Sequence, residues 1–262
     1  MAACKKEKPA ATHTAPPIAV NSLYADSILF INNTGSKNIV KPVETAAGTF
    51  KSFPDGLKID DTTGAIDVNS SETGLKFQVT FTSSDGTKVI TAFITISGIN
   101  YKDKIYNLSA GDSVVKPIYN ADKRNAIPQL NSGSSFDNDG GCKNAGIEVN
   151  PTDATINLAK SVRDQRIDTG STQEVKLQYK INDQSHQAMN GLNLKIYFYR
   201  TASEIPQYLT DLLKERQTTI LSENPSLLFP LTRAAIKNFS SIARRAQAPS
   251  RPRPPCIIVV SR

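Results

Sequence analysis

The chain of 262 residues has no tryptophan, two histidines, two methionines and three cysteines. Each shortage narrows the chemistry. Without tryptophan, any stacking platform for a sugar must be built from tyrosine or phenylalanine. The histidines, His13 and His186, are a thin supply for general acid–base work. His186 lies in Asp183-Gln184-Ser185-His186-Gln187, but three neighbours on one loop do not make a triad, which is assembled from separate elements. Cys4, Cys142 and Cys256 are too scattered for a disulfide framework or a zinc site. There is no Cys-x-x-Cys pair, no glycine-rich phosphate loop, and no apolar run near the ~18 residues of a membrane helix.

A basic surface over the body of the chain is also missing. The formal net charge is +7, yet residues 9 to 200 hold 19 basic and 19 acidic side chains. The surplus sits at the two ends, so no phosphate-tracking patch is expected and nucleic acid is not an expected partner.

What is present is alternation. Leu75, Phe77, Val79 and Phe81 alternate with Lys76, Gln78, Thr80 and Thr82, and Ile90, Ala92, Ile94 and Ile96 follow with the same period. A hundred residues on, Val175, Leu177, Tyr179 and Ile181 are followed by Leu192, Leu194, Ile196 and Phe198. Period two with one apolar face marks strands packed on one side. Ser83-Ser84-Asp85-Gly86 and the stretch from Asn182 to Gly191 lie between the members of each pair, which predicts two antiparallel hairpins. Eight apolar side chains per hairpin, at ~1.5 to 3 kcal/mol each, need a second layer to cover them. That requirement predicts sandwiches.

The repetition extends further. Ile39-Val40-Lys41-Pro42-Val43 is matched by Val114-Val115-Lys116-Pro117-Ile118, and Gly56 to Asp67 aligns without a gap with Gly146 to Asn157. In the first copy Gly64 supplies the positive φ that follows a type I turn. Ala154 stands in its place in the second copy, and the expectation from sterics is a turn of different geometry there.

Phe53-Pro54-Asp55-Gly56-Leu57-Lys58-Ile59-Asp60-Asp61-Thr62-Thr63-Gly64-Ala65-Ile66, with the later Ser84-Asp85-Gly86, resembles the signature of Ig-like and cadherin-like domain repeats of bacterial cell-surface lipoproteins. The likeness is good over residues 25 to 99 and holds for 100 to 200 by analogy, because the second copy lacks the Thr-Gly pair. It implies two tandem immunoglobulin-like β-sandwiches used in extracellular binding, adhesion or spacing, and it carries no catalytic residues. Met1-Ala2-Ala3-Cys4, followed by a Lys-, Pro-, Ala- and Thr-rich stretch, is similar to a lipoprotein acylation site, with Cys4 as the lipid-bearing residue. A lipid on Cys4 would place the protein at the membrane of the bacterial envelope.

The expected organisation is an all-β body with a helical tail: a tether over 1–22, one sandwich over 23–99, a second over 100–201, and a helical segment with a disordered Pro/Arg end over 202–262. Ser203-Glu204-Ile205-Pro206 reads as a helix start, with Tyr208, Leu209, Leu212 and Leu213 as its stripe. A second stripe runs through Leu228, Leu231, Ala235, Phe239 and Ile242, and Pro249 to Pro255 is expected to end regular structure. The tail switches from lysine to arginine: residues 1–200 hold 18 Lys and 4 Arg, and residues 201–262 hold 2 Lys and 7 Arg. The switch suggests that the tail was acquired separately, or is read from a shifted frame, and does not belong to the β domains. One face of its helix is expected to pack on the second sandwich.

Candidate sites are few. Tyr197 and Tyr199 point away from the core if Ile196 and Phe198 point in, which makes them the one aromatic pair available to a ligand. Asp137-Asn138-Asp139-Gly140-Gly141 starts like a calcium loop but lacks the later ligands, and Asp137 and Asp139 are the pair a calcium ion would choose. No cofactor is required by these residues, and no enzyme is expected. The functional expectation is a binding or adhesion module that meets a protein or glycan at the cell surface. The alternative is a spacer or an assembly subunit that docks a partner through its helical tail.

Overall fold

A computed structural model describes residues 23–35, 37–128, 133–164, 170–219 and 256–262, with the backbone alone at 217–219. Cys4, His13, the second helical stripe and Pro249 to Pro255 lie outside the described residues.

The fold is mostly β. The first unit carries β1 (Ile28–Leu29), β2 (Ile39–Val40), β3 (Gly48–Phe53), β4 (Ile66–Asp67), β5 (Leu75–Ser83) and β6 (Val89–Ile96). One sheet has the order β1-β6-β5-β3, with β1 parallel to β6 and the other pairs antiparallel. The β5–β6 hairpin sets Leu75 opposite Ile96, Phe77 opposite Ile94 and Val79 opposite Ala92, so the alternating apolar residues share one face. Across from them β2 and β4 form an antiparallel ladder that brings Ile66 and Val68 to the same interior. Phe77, Val79, Ile66 and Ile94 are completely buried there. The hairpin expected from period two is therefore present, and the covering layer is short.

The second unit begins at β7 (Ile99–Asn100), directly after Gly98, and continues through β8 (Lys104–Asn107), β9 (Val114–Val115), β10 (Ile118–Tyr119) and β11 (Ser135–Phe136). Then come the short helix α1 (Gly141–Asn144), β12 (Ile156–Asn157), the helix α2 (Leu158–Asp164), β13 (Thr172–Lys180), β14 (Asn190–Tyr199), the helix α3 (Gln207–Thr219) and β15 (Cys256–Ser261). Its main sheet runs β11-β13-β14-β15-β8, β9 pairs with β12, and β7 with β10. A separate core forms around Tyr101, Phe136, Ile156, Leu158, Leu177, Tyr179 and Ile196.

The sequence repeat is reproduced bond for bond. Ile59 bridges Ile66 as Val149 bridges Ile156. The Asp60 amide donates to the Ala65 carbonyl (2.9 Å) as that of Asn150 does to Thr155 (2.8 Å). The Gly64 amide closes on the Asp60 carbonyl (2.8 Å) and the Ala154 amide on that of Asn150 (3.0 Å). Here the expectation of a different turn fails: Ala154 adopts φ 61, beside φ 69 at Gly64. The surroundings hold it there. The Tyr101 hydroxyl donates to the Ala154 carbonyl (2.5 Å), as the Tyr24 hydroxyl does to that of Gly64 (2.7 Å), and Ala154 is fully buried. Those contacts outweigh the ~1 to 2 kcal/mol that an L-residue loses in the left-handed region.

Regular structure does not end with the prolines, because Cys256–Ser261 forms a strand inside the second sheet. Its two faces are both covered, so Cys-Ile-Ile-Val-Val shows a continuous apolar run in place of alternation. Upstream, α3 packs on that sheet through Leu209 and Leu213, which join Ile257 and Val259 in a small third cluster.

Candidate functional site

The residues singled out by sequence fall in three places. Asp137 and Asp139 hold the start of α1. The Asp137 carboxylate accepts from the amides of Cys142 (2.8 Å) and Lys143 (3.0 Å). That of Asp139 accepts from the Gly141 amide (3.1 Å) and the Gln178 side chain (2.7 Å). Their oxygens serve as turn and cap acceptors. Among the described residues no group of three or more His, Cys, Asp or Glu is placed to hold a metal ion. Cys142, just behind this turn, is a buried thiol whose pKa is pushed up by burial and by Asp137.

Tyr197 and Tyr199 do face away from the main core, but they do not form an exposed platform. Both are half-buried and pack with Ile205, Leu209 and Leu212. Burial beneath that helix, with Tyr208 nearby, raises the Tyr199 pKa. The Lys195 ammonium lies 5.5 Å from the centre of the Tyr197 ring and pairs with Glu174. Strand periodicity gave the direction of these rings correctly. It carried no information about the helix that covers them.

The loop between β13 and β14, which the sequence marks as a hairpin connection, is also the joint between the units. Asp183 reaches across it, and one of its carboxylate oxygens accepts from the hydroxyls of Ser97 (2.8 Å) and Tyr119 (2.7 Å). Ala188 of the same loop is buried in the first unit's core. Beside it the Tyr179 hydroxyl accepts from the Ile99 amide (3.1 Å) and lies 3.3 Å from the Thr73 hydroxyl, which donates to Asn190 (2.9 Å). Burial pushes the Tyr179 pKa up to about 12, so this hydroxyl stays a neutral hydrogen-bonding group. Gly98 is required at this point: a Cβ there would stand 2.7 Å from the Tyr179 oxygen and 2.9 Å from the Thr73 Cβ. His186 is exposed on the outer side of the loop, and Ser185 donates to the Ile181 carbonyl (3.3 Å), so the three do not assemble as a triad.

Next to this joint the first unit is open. A hollow of about 450 Å³ lies between β1 and β2, with Gln184 of the joint loop at its rim. Leu29 and Val68 are buried at its base, Val40 is half-buried, and Ile28 and Asp26 are exposed at its edge. Asn38 donates to the Phe30 carbonyl (2.8 Å), which keeps the two strands apart at a fixed spacing. The arrangement is an apolar floor with carboxylate and amide groups around it. Such a surface has the groups to hold a ligand through apolar contact and hydrogen bonding. Sequence reasoning missed it because β1 and β2 are only two residues long and carry no period of their own. Val40 lies in the first of the repeated stretches, but Gln184 arrives from the other unit.

A comparison with protein-family models finds no match, and a comparison with curated proteins finds none either. Among solved structures the chain is similar to a SusE-like, surface located polysaccharide binding protein from the Bacteroides thetaiotaomicron heparin utilisation locus, at 10% identity and a TM-score of 0.26. The match covers 67% of this chain and 34% of that one. It is also similar to Drosophila N-cadherin domains EC1–4, at 12% identity and a TM-score of 0.21, over 67% of this chain and 48% of that one. The matched region is thus a third to a half of those chains. At these TM-scores neither neighbour specifies the arrangement of strands or the site.

Proposed function

We propose that the protein is a non-catalytic binding module of the bacterial envelope, built from two tandem immunoglobulin-like units and held at the membrane by a lipid on Cys4. The observation that carries the binding reading is the hollow between β1 and β2, whose apolar floor is rimmed by Asp26, Asn38 and Gln184. The joint beneath it supports this reading, since Asp183 and Ala188 fix the second unit's loop against the first and hold Gln184 at the rim. A surface of this kind suits a protein or glycan ligand that offers both apolar faces and hydroxyl or amide groups.

The test is a paired binding screen. The full chain and an Ile28→Glu/Gln184→Ala variant are passed over immobilised bacterial and host glycans and extracellular matrix proteins. Retention of the parent on one class, lowered about tenfold or more in the variant at unchanged thermal stability, is expected. Equal retention of parent and variant on every surface that holds the parent would remove the hollow from the reading. The alternative, docking through the helical tail, draws less support, because Leu209 and Leu213 of α3 already face the chain's own sheet.

A further inference from the structure

The two units differ at one sheet edge. In the first, β1 pairs directly and in parallel with β6, Ile28 opposite Thr95 and Leu29 opposite Ile96. The counterpart of β1 is β8: Tyr24 lies four residues before Ile28 and Tyr101 four before Ile105, and both tyrosines bond the repeated turn. The counterpart of β6 is β14. These two strands do not pair with each other. Instead β15 lies between them, parallel to both, with Ile258 opposite Ile196 on one side and Lys104 on the other, and Val260 opposite Phe198 and Tyr106.

The inserted strand fits its slot on every side. Cys256, Ile258 and Val260 join the main core, and Ile257 and Val259 meet Leu209 and Leu213 of α3. None of its six residues is more than 4% exposed. Its start is latched by Asp103, which accepts from the Ile257 amide (2.7 Å) through one oxygen and from the Arg216 guanidinium (2.8 Å) through the other. The strand is joined to α3 only through residues 220–255, a length of chain whose greatest span is about 120 Å at ~3.3 Å per residue.

We propose that the second unit is a strand acceptor: the slot between β8 and β14 takes an extended apolar segment in parallel register, and residues 256–261 of a second copy of this chain can fill it in place of the chain's own. The backbone of the slot supplies hydrogen bonds to any extended segment, and alternate side-chain pockets on its two faces select Cys-Ile-Ile-Val-Val. In one chain the segment and its slot belong to the same molecule, so filling the slot is an intramolecular step and the closed monomer prevails in dilute solution. Copies that fold together at high concentration exchange strands. The proposal stands apart from the hollow, which lies on the other unit.

The test uses the full chain with a protease recognition sequence placed within 225–245. After cleavage, the nicked protein is expected to keep its C-terminal fragment through gel filtration. It then exchanges that fragment for a fluorescent peptide of residues 255–262, saturating at one per chain, while the uncut chain takes up at least tenfold less. A peptide carrying Ile258→Lys is not taken up. In a second arm, two differently tagged full-length populations are unfolded and refolded together, and the co-purifying fraction is expected to rise with protein concentration. Loss of the fragment on nicking without any peptide uptake, or uptake equal in the nicked and uncut chains, would overturn the acceptor slot. Tagged copies that do not co-purify at any concentration would overturn the exchange between copies.

Discussion

At the scale of single residues, positions 64 and 154 show how one turn is met by two solutions. Gly64 accepts φ 69 without strain, and a Cβ at that place would stand 2.5 Å from the Phe50 ring. Ala154 holds φ 61 because Tyr101 and a buried setting fix the loop around it. The two exchanges should therefore be unequal. Gly64→Ala combines left-handed strain with overpacking and is expected to lower stability by about 2 to 4 kcal/mol. Ala154→Gly removes the strain and loosens the unfolded chain, so its net effect should stay within about 1 kcal/mol. Urea unfolding of both variants checks the difference. Ser71 and Ser161 belong at this scale too. Each accepts from a repeat amide, Lys58 or Glu148 (2.9 Å), and donates to a repeat carbonyl, Asp67 or Asn157 (2.7 Å). The serines stand ninety residues apart, so a longer alignment of the two copies would have exposed them.

At the scale of elements, the long hairpins were legible and the last strand was not. In β5, β6, β13 and β14 one face is buried and the other is wetter, so burial writes itself into the sequence with period two. In β15 both faces are buried, and the only trace is an unbroken apolar run after prolines and arginines. That trace was available, but its partners β8 and β14 lie some 150 and 60 residues earlier, and nothing local points to them. The buried pair of Asp103 and Arg216, 8% and 6% exposed at their side chains, ties this strand to α3. Asp103→Ala leaves the guanidinium buried without its carboxylate and removes the acceptor of the Ile257 amide. The expected loss is about 3 to 5 kcal/mol. Asp103→Leu combined with Arg216→Met removes both charges and should lose less than Asp103→Ala alone. A set of denaturant melts compares the three.

At the scale of the whole molecule, the joint decides whether the units behave as one. Asp183 accepts from Ser97 and Tyr119, and Ala188 enters the neighbouring core. Replacing Asp183 by Ala leaves two partly buried hydroxyls without that acceptor, at about 1 to 3 kcal/mol. The loss falls on the coupling between units and less on either core. Calorimetry is expected to resolve two transitions in the variant and one in the parent, and a single undivided transition in the variant would place the coupling elsewhere. The same joint sets Gln184 beside the hollow on β1 and β2, so its disruption is also expected to weaken any ligand held there.

By itself the sequence determined the β character, the doubled motif, the two hairpins and the inward faces of their strands, because burial writes each strand's alternation locally and the repeat is read by aligning the chain with itself. Only the tertiary structure decided that α3 covers Tyr197 and Tyr199, that Asp183 and Ala188 join the units, and that β15 completes the second sheet. Each of those rests on surfaces brought together from distant parts of the chain. Such contacts leave a mark in composition but none in spacing.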